Sequence, residues 1–249
     1  MEHLGVFITG TGTGVGKTLV TAYLAALFRR AGIDAVPYKP IQSGSIRRGE
    51  ELVAEDVAFY RDVARLPYDQ GDLCTYCLEA AVSPHLAAQQ AGQTIEPQRI
   101  AEQYRRLKAK HQLVLVEGAG GLAVPLAAKP SFVYMTMHLI HLLQVPIILV
   151  TQPGLGTINH TLLTVSYART HHIPVAGLIV NGMPAKPTCM ETDNVKMIEK
   201  LTQVPVLGIL PKFEQPLIPS VKQAVLHAAE PRTDAEKILR RLKEMGEQS

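Results

Sequence analysis

Residues 7–18 read FITGTGTGVGKT, and the rest of the chain is understood from this stretch. Its end, Gly16-Lys17-Thr18, has the form of a phosphate-binding loop, whose usual pattern is G-x-x-x-x-G-K-[ST]. Thr11 stands five places before Gly16, so the first glycine falls at Gly10 and the loop carries one residue more than the pattern. An apolar β-type run, Gly5 to Thr9, precedes the loop, and a helical pattern from Lys17 to Ala31 follows it and stops before Gly32. Strand, glycine loop and helix in that order separate a phosphate cradle from a chance match. Gly10, Gly12, Gly14 and Gly16 can take backbone angles closed to other residues, so the N–H groups around Gly14, Val15 and Gly16 can turn inward on an anion. The helix start adds free N–H groups and a positive dipole end. Lys17 would reach the outer phosphates and the Thr18 hydroxyl would ligate Mg²⁺. The extra residue should widen the cradle and leave space for a second anion beside the γ-phosphate. That suits phosphorylation of a small bound acid better than bare nucleotide hydrolysis.

Outward from the loop, short apolar runs recur at Ala35 to Tyr38, Leu113 to Glu117, Pro146 to Thr151, Ala176 to Asn181 and Val206 to Leu210. Most are continuous rather than alternating, as parallel strands buried on both faces require. Helical stretches lie between or after them: Gln98 to Lys110 behind Pro97, Thr157 to His171 behind Gly154-Leu155-Gly156, Thr192 to Thr202, and Thr233 to Met245. The expectation is an α/β fold, a doubly wound, mainly parallel sheet of about seven strands with helices on both faces, in one domain spanning residues 1–249. Ligands in such folds bind at the carboxyl edge of the sheet, so functional residues should sit just after strands. Lys17, Lys39, Glu117 and Asn181 all do.

Lys39 belongs to Tyr38-Lys39-Pro40-Ile41-Gln42-Ser43-Gly44. A lysine there either aims a cation at the ligand edge or decorates a turn, and residue order leaves both open. Glu117 ends a run of four apolar residues and precedes Gly118-Ala119-Gly120-Gly121, the layout of a Walker B strand whose carboxylate helps to hold Mg²⁺. Asp56 is one of the acids of Glu50-Glu51-Leu52-Val53-Ala54-Glu55-Asp56 on a probable helix, where solvation is the default reading. Cys74 and Cys77 form a C-x-x-C without a second pair, read as small buried residues in a loop, and His138/His141 and His171/His172 read as helix-surface histidines.

Bulk properties exclude several classes. The net charge of +3 and the lack of any basic run beyond Arg29-Arg30, Arg47-Arg48 and Arg240-Arg241 give no case for nucleic acid. The opening MEHLGVF lacks the apolar core of a signal peptide, no apolar run is long enough to span a membrane, and three cysteines suit a reducing cytoplasm.

Five blocks together resemble the dethiobiotin synthetase family: residues 9–18 (TGTGTGVGKT), residues 38–44 (YKPIQSG), Ser83-Pro84-His85, residues 116–121 (VEGAGG) and residues 155–160 (LGTINH). Asn181 and residues 208–211 extend the match, and the long loop counted from Gly10 is itself a family feature. The resemblance implies an ATP-dependent carboxylase that closes the ureido ring of dethiobiotin from 7,8-diaminopelargonic acid and CO₂. It implies ATP phosphates and Mg²⁺ on Lys17 and Thr18, and Asp56 and Glu117 as the acidic Mg²⁺ ligands. Lys39, with Lys17, would stabilise the substrate carbamate and its phosphorylated form. Thr13 would act beside them, with Ser43, Ser83 and Gly118 near the substrate. Asn181 would read adenine, and Gly208 and Pro211 would lie by the nucleotide. Gly156, Thr157, Ile158 and Asn159 would hold the substrate carboxylate of a partner subunit, which implies a homodimer with shared sites. Three departures stand out: Gly12 replaces a frequent Asp, and Thr75 and Ala81 stand where prolines are expected.

Rival readings are weaker. A partitioning ATPase with a deviant Walker A loop would carry a lysine five residues before Lys17, where this chain has Gly12. A glutamine-dependent amidoligase would add a glutaminase domain, for which 249 residues leave no room. A module that had lost catalysis would not need Lys17, Lys39 and Glu117 together.

Overall fold

The computed structural model describes residues 3–129, 131–213 and 234–246. The strands are β1 Leu4–Gly10, β2 Ala35–Gln42, β3 Ile46–Arg48, β4 Glu51–Val53, β5 Cys74–Cys77, β6 Leu113–Glu117, β7 Pro125–Lys129, β8 Phe132–Met135, β9 Ile147–Thr151, β10 Val175–Met183 and β11 Val206–Pro211. The helices are α1 Lys17–Arg30, α2 Glu55–Ala64, α3 Gln70–Leu73, α4 Pro84–Gln90, α5 Pro97–Lys110, α6 Thr136–Leu143, α7 Thr157–Thr170, α8 Cys189–Thr202 and a last helix, Ala235–Gly246.

Seven strands form one sheet in the order β11-β10-β9-β1-β6-β2-β5, and every adjacent pair is parallel. The chain builds outward from β1 to β2 and β5, returns to insert β6, then builds the other side through β9, β10 and β11. The direction of winding reverses around β1, and a crevice opens there at the carboxyl edge. All residues of β2, β6 and β9 are buried, which is why these strands read as unbroken apolar runs. Each Val, Leu or Ile sequestered this way contributes roughly 1.5–3 kcal/mol. Helices cover both faces by the same logic. α5 starts with Pro97 in its first turn, turns Ile100, Ala101, Tyr104 and Leu107 inward at helical spacing, and ends on Lys108 and Lys110, which suit the negative end of its dipole.

The expected strands and helices are present, with three kinds of difference. First, β2 continues four residues past the expected end at Tyr38, and β10 runs to Met183, so Lys39 and Asn181 lie within strands rather than after them. β2 pairs with β6 only as far as Tyr38 and with β5 from Lys39 onward, so the change of neighbour keeps the strand going. Second, β5 supplies the seventh strand in what reads as a loop. It is a four-residue edge strand, too short to announce itself in sequence. Third, two small antiparallel hairpins, β3/β4 and β7/β8, stand apart from the main sheet. The last helix begins at Ala235; Thr233 lies outside the described residues.

β5 also settles the C-x-x-C. Its alternating burial puts Cys74 and Cys77 on opposite faces of the strand, where side chains point apart and cannot bridge. Burial first, then the neighbouring Cys77, pushes the Cys74 thiol up to about 12. Cys74 should therefore resist a thiol reagent at mildly alkaline pH, with Cys189, which is exposed, modified fastest and Cys77 more slowly. Mass spectrometry after timed alkylation checks the order; early labelling of Cys74 would contradict it. Among the described residues no helix is long and apolar enough to cross a membrane.

Candidate active site

The loop after β1 is built by two distinct uses of glycine. Gly14 and Gly16 have φ of 79° and 92°, the left-handed region that side chains resist. Gly10 is needed for space instead: a Cβ there would sit 2.5 Å from Val15 Cγ2. Gly12 has neither requirement, since nothing lies within 4 Å of an added Cβ. The expectation that all four glycines exploit their freedom is thus corrected to two. Asn181, on β10, donates from Nδ2 to Val15 O at 2.9 Å and fastens the loop to the sheet. A Cβ on Gly16 would lie 2.0 Å from that Nδ2. Gly16→Ala should weaken ATP binding about 10–100-fold, the range set by local backbone strain. A titration with a fluorescent nucleotide measures this, and wild-type affinity would refute it.

A cleft of about 660 Å³ opens beyond the loop. Its walls include Thr13, Gly14, Gly16, Lys17 and Thr18 from the loop and α1, Lys39 and Ser43 from β2 and its continuation, Asp56 from α2, Ser83 before α4, and Glu117 and Gly118 from the end of β6. The sequence thus gathered one cleft from five separate segments. Ser83 also occupies the expected position before a helix that opens with Pro84. Its backbone carbonyl accepts from Leu86 and Ala87, while its hydroxyl lies 3.1 Å from His85 Nδ1 rather than capping the helix.

Four charged side chains meet in the cleft. The Lys39 ammonium donates to Glu117 Oε1 at 2.6 Å and contacts the Asp56 carboxylate. Thr18 Oγ1 donates to the same Glu117 oxygen at 2.9 Å, and the phenol of Tyr60 donates to Oε2. Lys17 closes on its own loop, donating to Gly12 O at 3.1 Å. Burial pulls the Lys17 ammonium below its ordinary value, and Lys39 pulls the same way. Burial also opposes charge on Lys39, but the Glu117 and Asp56 carboxylates outweigh it and hold Lys39 above the usual 10.5. Its contribution to stability is therefore complete below pH 10.5 and is lost only as pH rises through the higher folded value. At neutral pH Lys39 is a fixed cation, not a base. This answers the question left open by residue order: Lys39 is 5% exposed and faces the cleft, not a turn.

The oxygen set of Thr18, Asp56 and Glu117 is hard and anionic, as Mg²⁺ requires, and two carboxylates leave positions for water and phosphate oxygens. Among the described residues no group of three His, Cys, Asp or Glu side chains is placed to hold a metal, which sets this donor set apart from an all-protein cage.

Other expected residues lie outside the cleft lining. Asn181 supports the loop from beneath, and Gly208 and Pro211 lie on β11, paired with Ile179 and Met183 of β10. Gly156 to Asn159 open α7 and are not among the residues that line the cleft; Leu155 beside them is 86% exposed. There the Thr157 hydroxyl is engaged by Thr151 Oγ1 at 2.9 Å and its N–H by Gly154 O at 3.3 Å. Tyr60 was not among the expected site residues. Its signal was its spacing of four from Asp56, one helical turn on the same face.

Known proteins resemble this chain in sequence and in fold. Residues 4–217 match the AAA_26 family, an AAA domain. The ATP-dependent dethiobiotin synthetase BioD of Anoxybacillus flavithermus is 45% identical over 207 residues, covering 83% of this chain and 91% of that protein. The enzyme of the same name from Bacillus subtilis (strain 168) is 38% identical over 223 residues, covering 90% and 92%. In fold alone, the MinC:MinD cell division complex of Aquifex aeolicus superposes with a TM-score of 0.55 at 15% identity, covering 97% of this chain and 96% of that one. A ParA family ATPase of Chlorobium tepidum gives 0.52 at 14%, covering 96% and 92%. The sheet is thus that of P-loop nucleotidases, and with its identities to curated relatives over most of its length the chain belongs to the ATP-dependent dethiobiotin synthetase family, whose members are ligases.

Proposed function

We propose that this protein, acting as one domain per chain, makes dethiobiotin from 7,8-diaminopelargonic acid, CO₂ and ATP. The observation that carries the reading is a second buried ammonium, Lys39, in the same cleft as the loop lysine, Lys17. A second cation in the cleft that Ser43 and Ser83 also line suits an enzyme that brings another anion to the γ-phosphate.

One amine of the substrate adds to CO₂ and loses a proton, giving a carbamate. A carbamate oxygen then takes the γ-phosphoryl group of ATP, releasing ADP and leaving a carbamic-phosphoric mixed anhydride. The neighbouring amine attacks the carbonyl carbon, loses a proton and expels phosphate, which closes the five-membered ring. Both amines are on one molecule, so effective concentration favours closure. The difficult encounter is between two anions. Lys17 and Lys39 oppose that charge in a preorganised site that Thr13 also lines, and the N–H groups of Gly14, Val15 and Gly16 would add to it. Thr18, Asp56 and Glu117 would hold Mg²⁺, which supplies further neutralisation of the phosphate oxygens when bound. Gly118 lines the cleft, and its missing Cβ makes room for Phe7, whose Cε1 would lie 2.6 Å from it. Asn181, Gly208 and Pro211 would lie on the nucleotide side.

Gly156 to Asn159 open a helix outside this chain's own cleft, so in this reading they serve the substrate carboxylate of a second copy in a cytoplasmic homodimer. A monomer by light scattering would remove that part. Incubation with the diamine, bicarbonate, Mg²⁺ and ATP should yield dethiobiotin, detected by mass, with one ADP per product. A folded, nucleotide-binding protein that forms none would overturn the reading.

A further inference from the structure

Glu117 offers its two oxygens to different surroundings. Oε1 faces the cleft, where it accepts from Lys39 and Thr18. Oε2 faces the protein and accepts from the phenol of Tyr60, which is fully buried and does not line the cleft. Tyr60 stands one turn along α2 from Asp56, so a single helix face delivers a carboxylate to the cleft and a hydroxyl behind it. The phenol is the donor of this bond and the carboxylate its acceptor. A phenylalanine would fill nearly the same volume without the cost of burying a hydroxyl. The hydroxyl is therefore matched to one need, the back of the Glu117 carboxylate.

We propose that Tyr60 is a positioning residue that fixes the rotation of the Glu117 carboxylate, so that one oxygen alone addresses the divalent cation. The inference rests on the reading of Glu117 as a metal ligand. Mg²⁺ demands near-ideal octahedral geometry and tolerates little wander in its ligands. Partners behind a ligand typically carry about 10–100-fold in metal affinity. A carboxylate freed to turn would present either oxygen, or both, to the ion, and the ion would compete less well for it against the Lys39 ammonium already on Oε1.

The test uses the full-length protein with ADP and Mn²⁺ as the probe, the ion counted by its electron paramagnetic resonance signal. Tyr60→Phe should weaken Mn²⁺ binding about 10–100-fold, while ADP affinity measured without metal stays at the wild-type level. In a Glu117→Gln background the same substitution should change Mn²⁺ binding less than about twofold, because a residue acting through Glu117 has nothing left to act on. Wild-type Mn²⁺ affinity in Tyr60→Phe overturns the proposal, as does an undiminished loss in the Glu117→Gln background. If wild-type protein with ADP takes up no Mn²⁺, the metal reading itself fails and this inference falls with it. Should Tyr60→Phe not fold, Tyr60→Gln and Tyr60→Met replace it. The donor-bearing Gln should bind Mn²⁺ more tightly than Met, and equal affinities overturn the role.

Discussion

Lys39→Ala lowers turnover by about 10²–10³-fold, the effect of removing one preorganised charge contact, while ATP still binds through the loop. The structure adds a second consequence. Lys39 neutralises both Asp56 and Glu117, and the Glu117 side chain is 1% exposed. Breaking a buried pair from one side typically costs about 3–5 kcal/mol, because a charge is left unmatched. The variant should therefore melt at lower temperature, and added Mg²⁺ should recover part of the loss by binding the orphaned carboxylates in the native state only. Product formation by mass, nucleotide titration and thermal melts with and without Mg²⁺ separate these effects. Turnover within a few-fold of wild type would take Lys39 out of the chemistry.

Glu117→Gln is expected to be comparably severe, by a different route. The substitution keeps shape but removes the negative charge that faces Lys39 and the cation site. The Mg²⁺ concentration for half-maximal turnover should rise by at least the roughly 10–100-fold that loss of a mere supporting partner brings. Lys39 and Asp56 remain paired, so the variant should still fold and bind metal-free nucleotide. An unchanged Mg²⁺ requirement would dissociate Glu117 from the metal. Comparing the two variants is informative: one removes the cation between two acids, the other removes an acid from beside three donors.

The sequence made much of this legible for identifiable reasons. β1, the loop and α1 are local, and their glycines, lysine and threonine fall within twelve residues. β6 announces itself as four apolar residues and an acid because both of its faces are buried. What was not legible depends on the meeting of distant segments. Asp56 looks like any acid on a solvated helix until α2 is laid against β2 and β6. Tyr60 looks like a core aromatic until the second oxygen of Glu117 is seen to need a donor. β5 stayed hidden because a four-residue edge strand has too few residues for a period to emerge.

The change of neighbour along β2 ties the chemistry to the counting of residues. Side chains along a strand alternate between faces, so Lys39 reaches the acids only because it shares a parity with Pro37 and Ile41, while Tyr38 points the other way to Thr75 and Ile100. Losing or gaining one residue between Ala35 and Tyr38 would leave a strand just as apolar but swing the ammonium to the wrong side of the sheet. The strand is held to a fixed phase by a single nitrogen atom, that of Lys39 on Glu117 and Asp56.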